Sequence, residues 1–392
     1  MMDFFRKRRV YLDYASATPL MKEALDAMNG AEKHFANPGS IHKEGVEAKR
    51  LLEGARESIA AELGCKARQV IFTSGLTESN NLGVLGLARK LQIRGVPLSE
   101  THWITSSIEH SSVLEAFGEV ERLGGKVTFV EPDTRGIVLP EPLARALRPD
   151  TVLVSIGWAN NEIGTIQPLS ALARTIREYE RAEKSSVVFH SDAGQGPLYR
   201  SPQVHSLGVD MFALGSGKLY GPRTIGALYV RDPDTLAPII FGGGQEKGLR
   251  SGTEKVVPAV GFAKALEIVT QERARESKRL GSMRDDLARE IVAHVPTAIL
   301  NGDLKHALPH MLNISIPGEK TGEYLALALD HHGLAISTKS ACREGEADSH
   351  VVAALAGEPW RARATLRFSL GRETTQGDLT RALVIIKEVL RH

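Results

Sequence analysis

The feature that most constrains this chain is an alternation. From about residue 44 to 230, short and continuously apolar runs are separated by segments with helical periodicity. Residues 46–63 place Leu52, Ala55, Ile59 and Leu63 on one helical face, and Gly64 supplies a natural stop. "VIFT" (70–73) follows, then a helix through 77–90, "HWITSS" (102–107), a helix near 111–123 and "KVTFV" (126–130). "TVLVSIG" (151–157) leads to a helix opened by Pro168, and "VVFHS" (187–191) comes next. Apolar strands with no polar alternation, joined by helices, predict an α/β fold whose mostly parallel sheet is covered on both faces. After about Pro258 the pattern changes to long helices with "MLNISI" (311–316), "LAIS" (334–337) and "ATLRFSL" (364–370) between them. A last helix sets Leu379, Leu383, Ile386 and Leu390 on one face. This second region reads as a smaller α+β domain.

A chain of 392 residues exceeds one ordinary core, so two domains are expected. The division is a large domain over 16–256 and a small one from 1–15 with 257–392. A net charge of +2 gives no electrostatic case for nucleic acid or a membrane surface. The opening "MMDFFRKRRV" leads into no apolar stretch, so neither a signal peptide nor an anchor is expected. Two cysteines, Cys65 and Cys342, make no disulfide framework and suit a reducing cytoplasm. Neither CxxC nor HExxH occurs, so no metal is expected, and His331-His332 reads as the solvated end of a helix.

In open parallel sheets, ligands gather at the carboxyl ends of strands, and the polar clusters of this chain fall there. "ALGSGKLYGP" (213–222) looks at first like a nucleotide loop. The position five before Gly217 is Phe212, however, and Leu219 follows Lys218, so the P-loop pattern fails. "VIFT" runs into "SGLTESNN", where the N–H groups of Gly75, Leu76 and Thr77, with the Thr77 hydroxyl, would suit a phosphate at a helix start. "VVFH" ends in "SDAGQG", whose glycines and proline make a regular helix after Asp192 improbable. Pyridoxal phosphate needs a Schiff-base lysine, a carboxylate on the pyridine nitrogen and a phosphate cradle. Lys218, Asp192 and the 74–77 turn supply all three.

At these residues the chain resembles the NifS/IscS-type cysteine desulfurases, within the class V aminotransferases of the fold-type I pyridoxal phosphate enzymes. The resemblance runs from "YLDYASATPL" (11–20) to "LRFSLGR" (366–372), through "FTSGLTESNN", "IEHSSVLE", "NNEIGTIQ", "HSDAGQ", "GGGQEKGLRSGT", "LNGD" and "KSACREG". It implies that Thr77 binds phosphate and that His110 stacks on the ring and moves protons. It gives Asn161 and Gln195 the ring hydroxyl, Asp192 the ring nitrogen, and Lys218 the Schiff base. Arg367 would clamp the substrate carboxylate by a bidentate pair. Thr253 would reach the phosphate of a partner subunit, which implies a homodimer.

Cys342, in the polar stretch "STKSACREGEADSH", is the candidate nucleophile, whereas Cys65 reads as a small core side chain. Lys339 and Arg343 would favour its thiolate, and the acidic residues after them oppose this. The implied reaction converts L-cysteine to L-alanine and leaves a persulfide on Cys342 for a sulfur acceptor, either an iron–sulfur scaffold or a tRNA-thiolation relay. Two features depart from the family. Its Ser-x-His-Lys motif is Gly215-Ser216-Gly217-Lys218 here, so phosphate anchors are missing unless Ser216 or backbone N–H groups replace them, and looser cofactor binding is expected. The chain also ends at His392, where better-known members carry a longer tail. Selenocysteine lyase or another β-lyase is the alternative activity, and a partner-binding homologue without catalysis is the reading from another class.

Overall fold

A computed structural model describes residues 9–339, 348–355 and 357–390. The strands are β1 (Val10–Tyr11), β2 (Val70–Thr73), β3 (His102–Ser106), β4 (Lys126–Val130), β5 (Thr151–Ser155), β6 (Val188–Asp192), β7 (Met211–Gly215) and β8 (Gly226–Val230), then β9 (Ile299–Leu300), β10 (Met311–Ser315), β11 (Leu334–Ala335) and β12 (Thr365–Ser369). The helices are α1 (Lys22–Ala31), α2 (Lys43–Leu63), α3 (Leu76–Ile93), α4 (Ser111–Arg122), α5 (Pro140–Ala146) and α6 (Leu169–Glu183), then α7 (Val204–Leu207), α8 (Val256–His294), α9 (Gly322–His331), α10 (His350–Ala353), α11 (Trp360–Arg363) and α12 (Gln376–Val389).

The continuous apolar runs form the expected sheet. Its seven strands lie in the order β2-β8-β7-β6-β5-β3-β4. Pairings from β4 to β7 are parallel, and β8 is antiparallel to both β7 and β2. Six strands therefore point one way, and their carboxyl ends share one edge. β7 and β8 fall outside the runs recognised in the sequence. "MFALG" and "GALYV" contain Gly and Ala, which have weak strand propensity, yet both strands are completely buried, so packing decides their conformation.

A second sheet, β12-β10-β9, is antiparallel, and the N-terminal β1 pairs in parallel with β11 from the far end of the chain. α12 buries Leu379, Ala382, Ile385, Ile386 and Val389, while Leu383 and Leu390 only flank the core. Its inward face is thus turned slightly from the periodic reading, toward Ala382 and Ile385. α9 ends at His331, and His332 caps it, as expected. Among the described residues, no helix is long and apolar enough to cross a membrane, and no His/Cys/Asp/Glu cluster could hold a metal.

Three buried histidines give the fold a pH dependence. Burial lowers His102 and His190 to about 4 and His310 to about 3, from an ordinary 6.5. All three are neutral in the fold, whereas the unfolded chain takes up their protons near 6.5. Their contribution to stability is complete above that pH and is lost as the pH falls toward 4 and 3. Glu109, raised by burial from 4.5 to about 7, acts in the opposite direction between those values and offsets one histidine. Each group changes stability by about 1.4 kcal/mol per pH unit inside its window. Urea midpoints should therefore fall between pH 6.5 and 4.5, and His310→Gln should flatten the slope. An unchanged slope in that variant would refute the assignment.

Candidate active site

The strand ends at the shared edge surround a cavity of about 190 Å³. Leu76 and Thr77 come from the start of α3, His110 from the start of α4, and Asn161 from the turn after β5. Asp192 ends β6, Gln195 follows it, Lys218 lies just beyond β7, and Arg367 enters from β12 of the second sheet. Eight of the residues chosen from the sequence thus face one space.

The start of α3 is open. Gly75 is its N-cap and carries no capping side chain, so the first-turn N–H groups are available to an anion. A Cβ on Gly215 would lie 3.0 Å from Leu76 Cβ and 3.6 Å from the Leu76 nitrogen. The first motif glycine therefore sits against this cradle, and a larger residue there would press on Leu76. A Cβ on Gly217 would meet Arg223 Cγ at 3.1 Å. Ser216 does not join the site. It is fully buried, its hydroxyl packs against Gly221, and it finds no hydrogen-bond partner among the described residues. The tight turn over Ser216–Lys218 that carries Lys218 forward turns this hydroxyl inward.

Asp192 is held from two sides, accepting from Gly194 N at 2.8 Å and from Asn80 Nδ2 at 2.6 Å. The same Asn80 amide donates to Ser112 Oγ at 2.8 Å. Ser112 in turn lies beside His110, whose Nδ1 accepts the Ser112 backbone N–H at 3.1 Å. That bond fixes the tautomer, so the neutral ring carries its proton on Nε2. Burial holds His110 below its usual range; Asp192 and Glu162 oppose this, while Lys218 and His350 reinforce it. Glu109 also lines the cavity, where it accepts from Ser106 Oγ at 2.6 Å and from Gly157 N at 2.9 Å. Neither Asn80 nor Glu109 stood out in the sequence. Asn80 lies one helical turn after Thr77 in "TESNN", and that spacing was the available signal.

Lys218 Nζ donates to the carbonyls of Ala15 and Ser16, each at 2.8 Å, and Gln195 Nε2 donates to Ala15 O at 2.9 Å. Arg367, 1% exposed, gives Nη1 to Asn161 O at 2.8 Å and Nη2 to Asp13 Oδ1 at 2.7 Å and to Ser16 Oγ. Its Nε is buried without a partner among the described residues. Both Nη groups are thus engaged by the chain itself, Nη2 by a carboxylate, so the guanidinium presents no free edge for the bidentate pair expected from the resemblance.

Thr253 lies on an exposed loop away from this cavity. That loop is tied to the α3 start by Arg250, which donates to Glu78 at 2.8 Å. Cys342 and Arg343 lie outside the described residues. Lys339 is committed to Glu323 at 2.9 Å. Cys65 packs against the core, and burial raises its thiol to about 11, which disfavours a thiolate.

The profile described as aminotransferase class-V matches residues 10–382, and the chain belongs to that family. The chain is similar to the cysteine desulfurase IscS of Dictyoglomus turgidum, with 41% identity over 98% of this chain and 95% of that one. Among solved structures it is similar to a NifS-like protein, with a TM-score of 0.89 and 33% identity over 98% and 99% of the two chains. A structure titled SspA in complex with cysteine shares 34% identity at a TM-score of 0.78, over 92% of this chain and 98% of the other.

The site fits the cofactor implied by the sequence: an open helix start for phosphate, a braced carboxylate, and a lysine that lines the same cavity as Arg367. Asn80→Ala removes the amide that orients Asp192, a charge-assisted bond worth about 1.5–3 kcal/mol. Titration with pyridoxal phosphate should show binding weakened by about tenfold or more. Unchanged affinity would show that Gly194 N alone suffices.

Proposed function

We propose that this protein is a pyridoxal phosphate-dependent cysteine desulfurase that takes sulfur from L-cysteine onto Cys342 as a persulfide. One observation carries the reading: Lys218, Asp192 and the open start of α3 face a single cavity that also receives Arg367. The similarity to proteins named as cysteine desulfurases supports it.

The cofactor, when bound, supplies an electron sink that makes the substrate Cα proton acidic. Asp192, braced by Asn80 and Gly194, would hold the pyridine nitrogen, and the N–H groups of Leu76 and Thr77, with the Thr77 hydroxyl, would hold the phosphate. Asn161 and Gln195 would hold the ring hydroxyl. Lys218 Nζ, as the neutral amine, takes the Cα proton, and the carbonyls of Ala15 and Ser16 orient it. His110 offers a proton from Nε2 over the cavity. Arg367, which lines the cavity, receives the substrate carboxylate, and to do so its guanidinium must be shared with Asp13 or released from it. In the sulfur step an S–S bond forms between Cys342 and the substrate sulfur as the substrate Cβ–S bond breaks. The sum is L-cysteine plus a thiol giving L-alanine plus a persulfide, so no outside oxidant or reductant is needed.

The working unit is a homodimer in which exposed Thr253 serves the partner's phosphate site, offsetting the anchors missing from Gly215-Ser216-Gly217. Residues 16–256 form the cofactor domain, with 1–15 and 257–392 as the small domain. We assign the enzyme to the cytoplasm, where a persulfide can be passed to a scaffold or thiolation acceptor protein.

Incubation of the holoenzyme with L-cysteine tests the reading through alanine, sulfide and the mass of Cys342. Lys218→Ala should abolish turnover in a folded protein. Cys342→Ser should still bind cysteine but form no persulfide, and sustained cysteine-dependent turnover by that variant would favour a β-lyase instead. Arg367→Ala should weaken cysteine binding by about 2–5 kcal/mol, the usual cost of removing one partner of a buried charged pair. Unchanged affinity would assign the carboxylate to another residue.

A further inference from the structure

The segment immediately after Cys342 is fastened to the active-site wall through contacts that the proposed chemistry does not use. Ser349 Oγ donates to Glu162 Oε2 at 2.5 Å, and Ser349 N bonds Ala362 O at 3.1 Å. His350 Nε2 lies 3.1 Å from Glu109 O, the carbonyl that precedes His110. Glu162, the neighbour of Asn161, is fully buried, and Ser349 is 1% exposed. Beneath these bonds, Val351, Val352 and Leu355 pack with Ile108 and Ile163 in a small apolar cluster of their own. Four residues of α10 would be too few to hold a position unaided. Here they rest on the two turns that present His110 and Asn161.

The other side of the segment is also tied to the site. The Ser337 and Arg367 backbones exchange hydrogen bonds at 3.1 and 2.6 Å, and Lys339 pairs with Glu323. Cys342 lies five residues after Ser337 and seven before Ser349, counted from the sequence. Fully extended, five residues span at most about 18 Å and seven at most about 25 Å. The attachments at Ser337 and Ser349 therefore act together to bound where the cysteine sulfur can lie.

We infer that Ser349 and His350, docked on Glu162 and on the Glu109 carbonyl, are positioning residues for sulfur transfer, setting the reach of Cys342 into the cavity. The inference rests on Cys342 being the sulfur acceptor. The mount touches neither cofactor nor substrate, so its loss should slow the sulfur step and leave cysteine binding intact. The hydroxyl of Ser349 meets a buried carboxylate, and a bond of that kind is large enough to change a rate by about tenfold or more.

The test uses the holoenzyme. Single-turnover persulfide formation on Cys342 is followed by mass spectrometry, and cysteine affinity by the change in visible absorbance of the bound cofactor. Ser349→Ala should lower the persulfide rate at least about tenfold and leave the affinity within about twofold. His350→Ala, which leaves the Ser349–Glu162 bond in place, should move the rate the same way. Wild-type rates in both variants would overturn the inference, as would a parallel loss of cysteine affinity, which marks a general structural role. Cys342→Ser run alongside separates the two levels: if it still turns over cysteine, the underlying sulfur-acceptor reading fails, whatever the mount variants do.

Discussion

A guanidinium buried to 1% exposure requires a counter-charge, and Asp13 provides it for Arg367. The rest of the site follows from that pair. To neutralise a cation on β12, the chain must bring its own N-terminal residues across to the second sheet, and the β1–β11 pairing secures them there. Asp13 arrives together with Ala15 and Ser16, whose carbonyls accept from Lys218 and Gln195. One short stretch thus orients a lysine, an amide and an arginine from three separate parts of the sequence. Replacing such a buried pair by apolar groups can be harmless for stability, whereas removing one member leaves a charge stranded. Its persistence here is better explained by what it positions.

A second polar layer lies below the cavity. The Asn80 amide is shared between Asp192 and Ser112, so the carboxylate of one strand end and the imidazole of a neighbouring turn are linked through a single side chain. Glu109 adds a buried carboxyl whose oxygens are satisfied by Ser106 and Gly157. In a low-dielectric interior each such bond is strong. Those made here hold the Asp192 carboxylate and the His110 ring in register, while the Asn80 carbonyl oxygen finds no partner among the described residues.

Much of this was legible in the sequence, and the rest was hidden for identifiable reasons. The parallel sheet could be read because its strands are unbroken apolar runs, and Lys218, Asp192 and Thr77 because glycine-rich turns mark strand ends. β7 and β8 were obscured by glycine and alanine, whose strand conformation comes only from their neighbours. Asp13 could not be linked to Arg367 by pattern, since 354 positions separate them. Ser216 looked like a replacement phosphate anchor, but a three-residue turn points its hydroxyl toward Gly221. Ser349 and His350 carry no pattern of their own in the sequence; folding sets them on Glu162 and the Glu109 carbonyl.

The 39 residues of α8 carry one further consequence. At 1.5 Å per residue the helix is about 58 Å long. It lies along α1 and α2 near one end and meets β10 and α12 near the other. Its only proline, Pro258, sits in the first turn, where no intrahelical bond is lost, so proline puts no kink into the shaft. A rod of this kind acts as a strut shared by both halves of the molecule. Opening the cleft by swinging one sheet from the other would require bending it across several turns. Traffic to the cavity is thereby left to short rim segments, which can move without straining the frame.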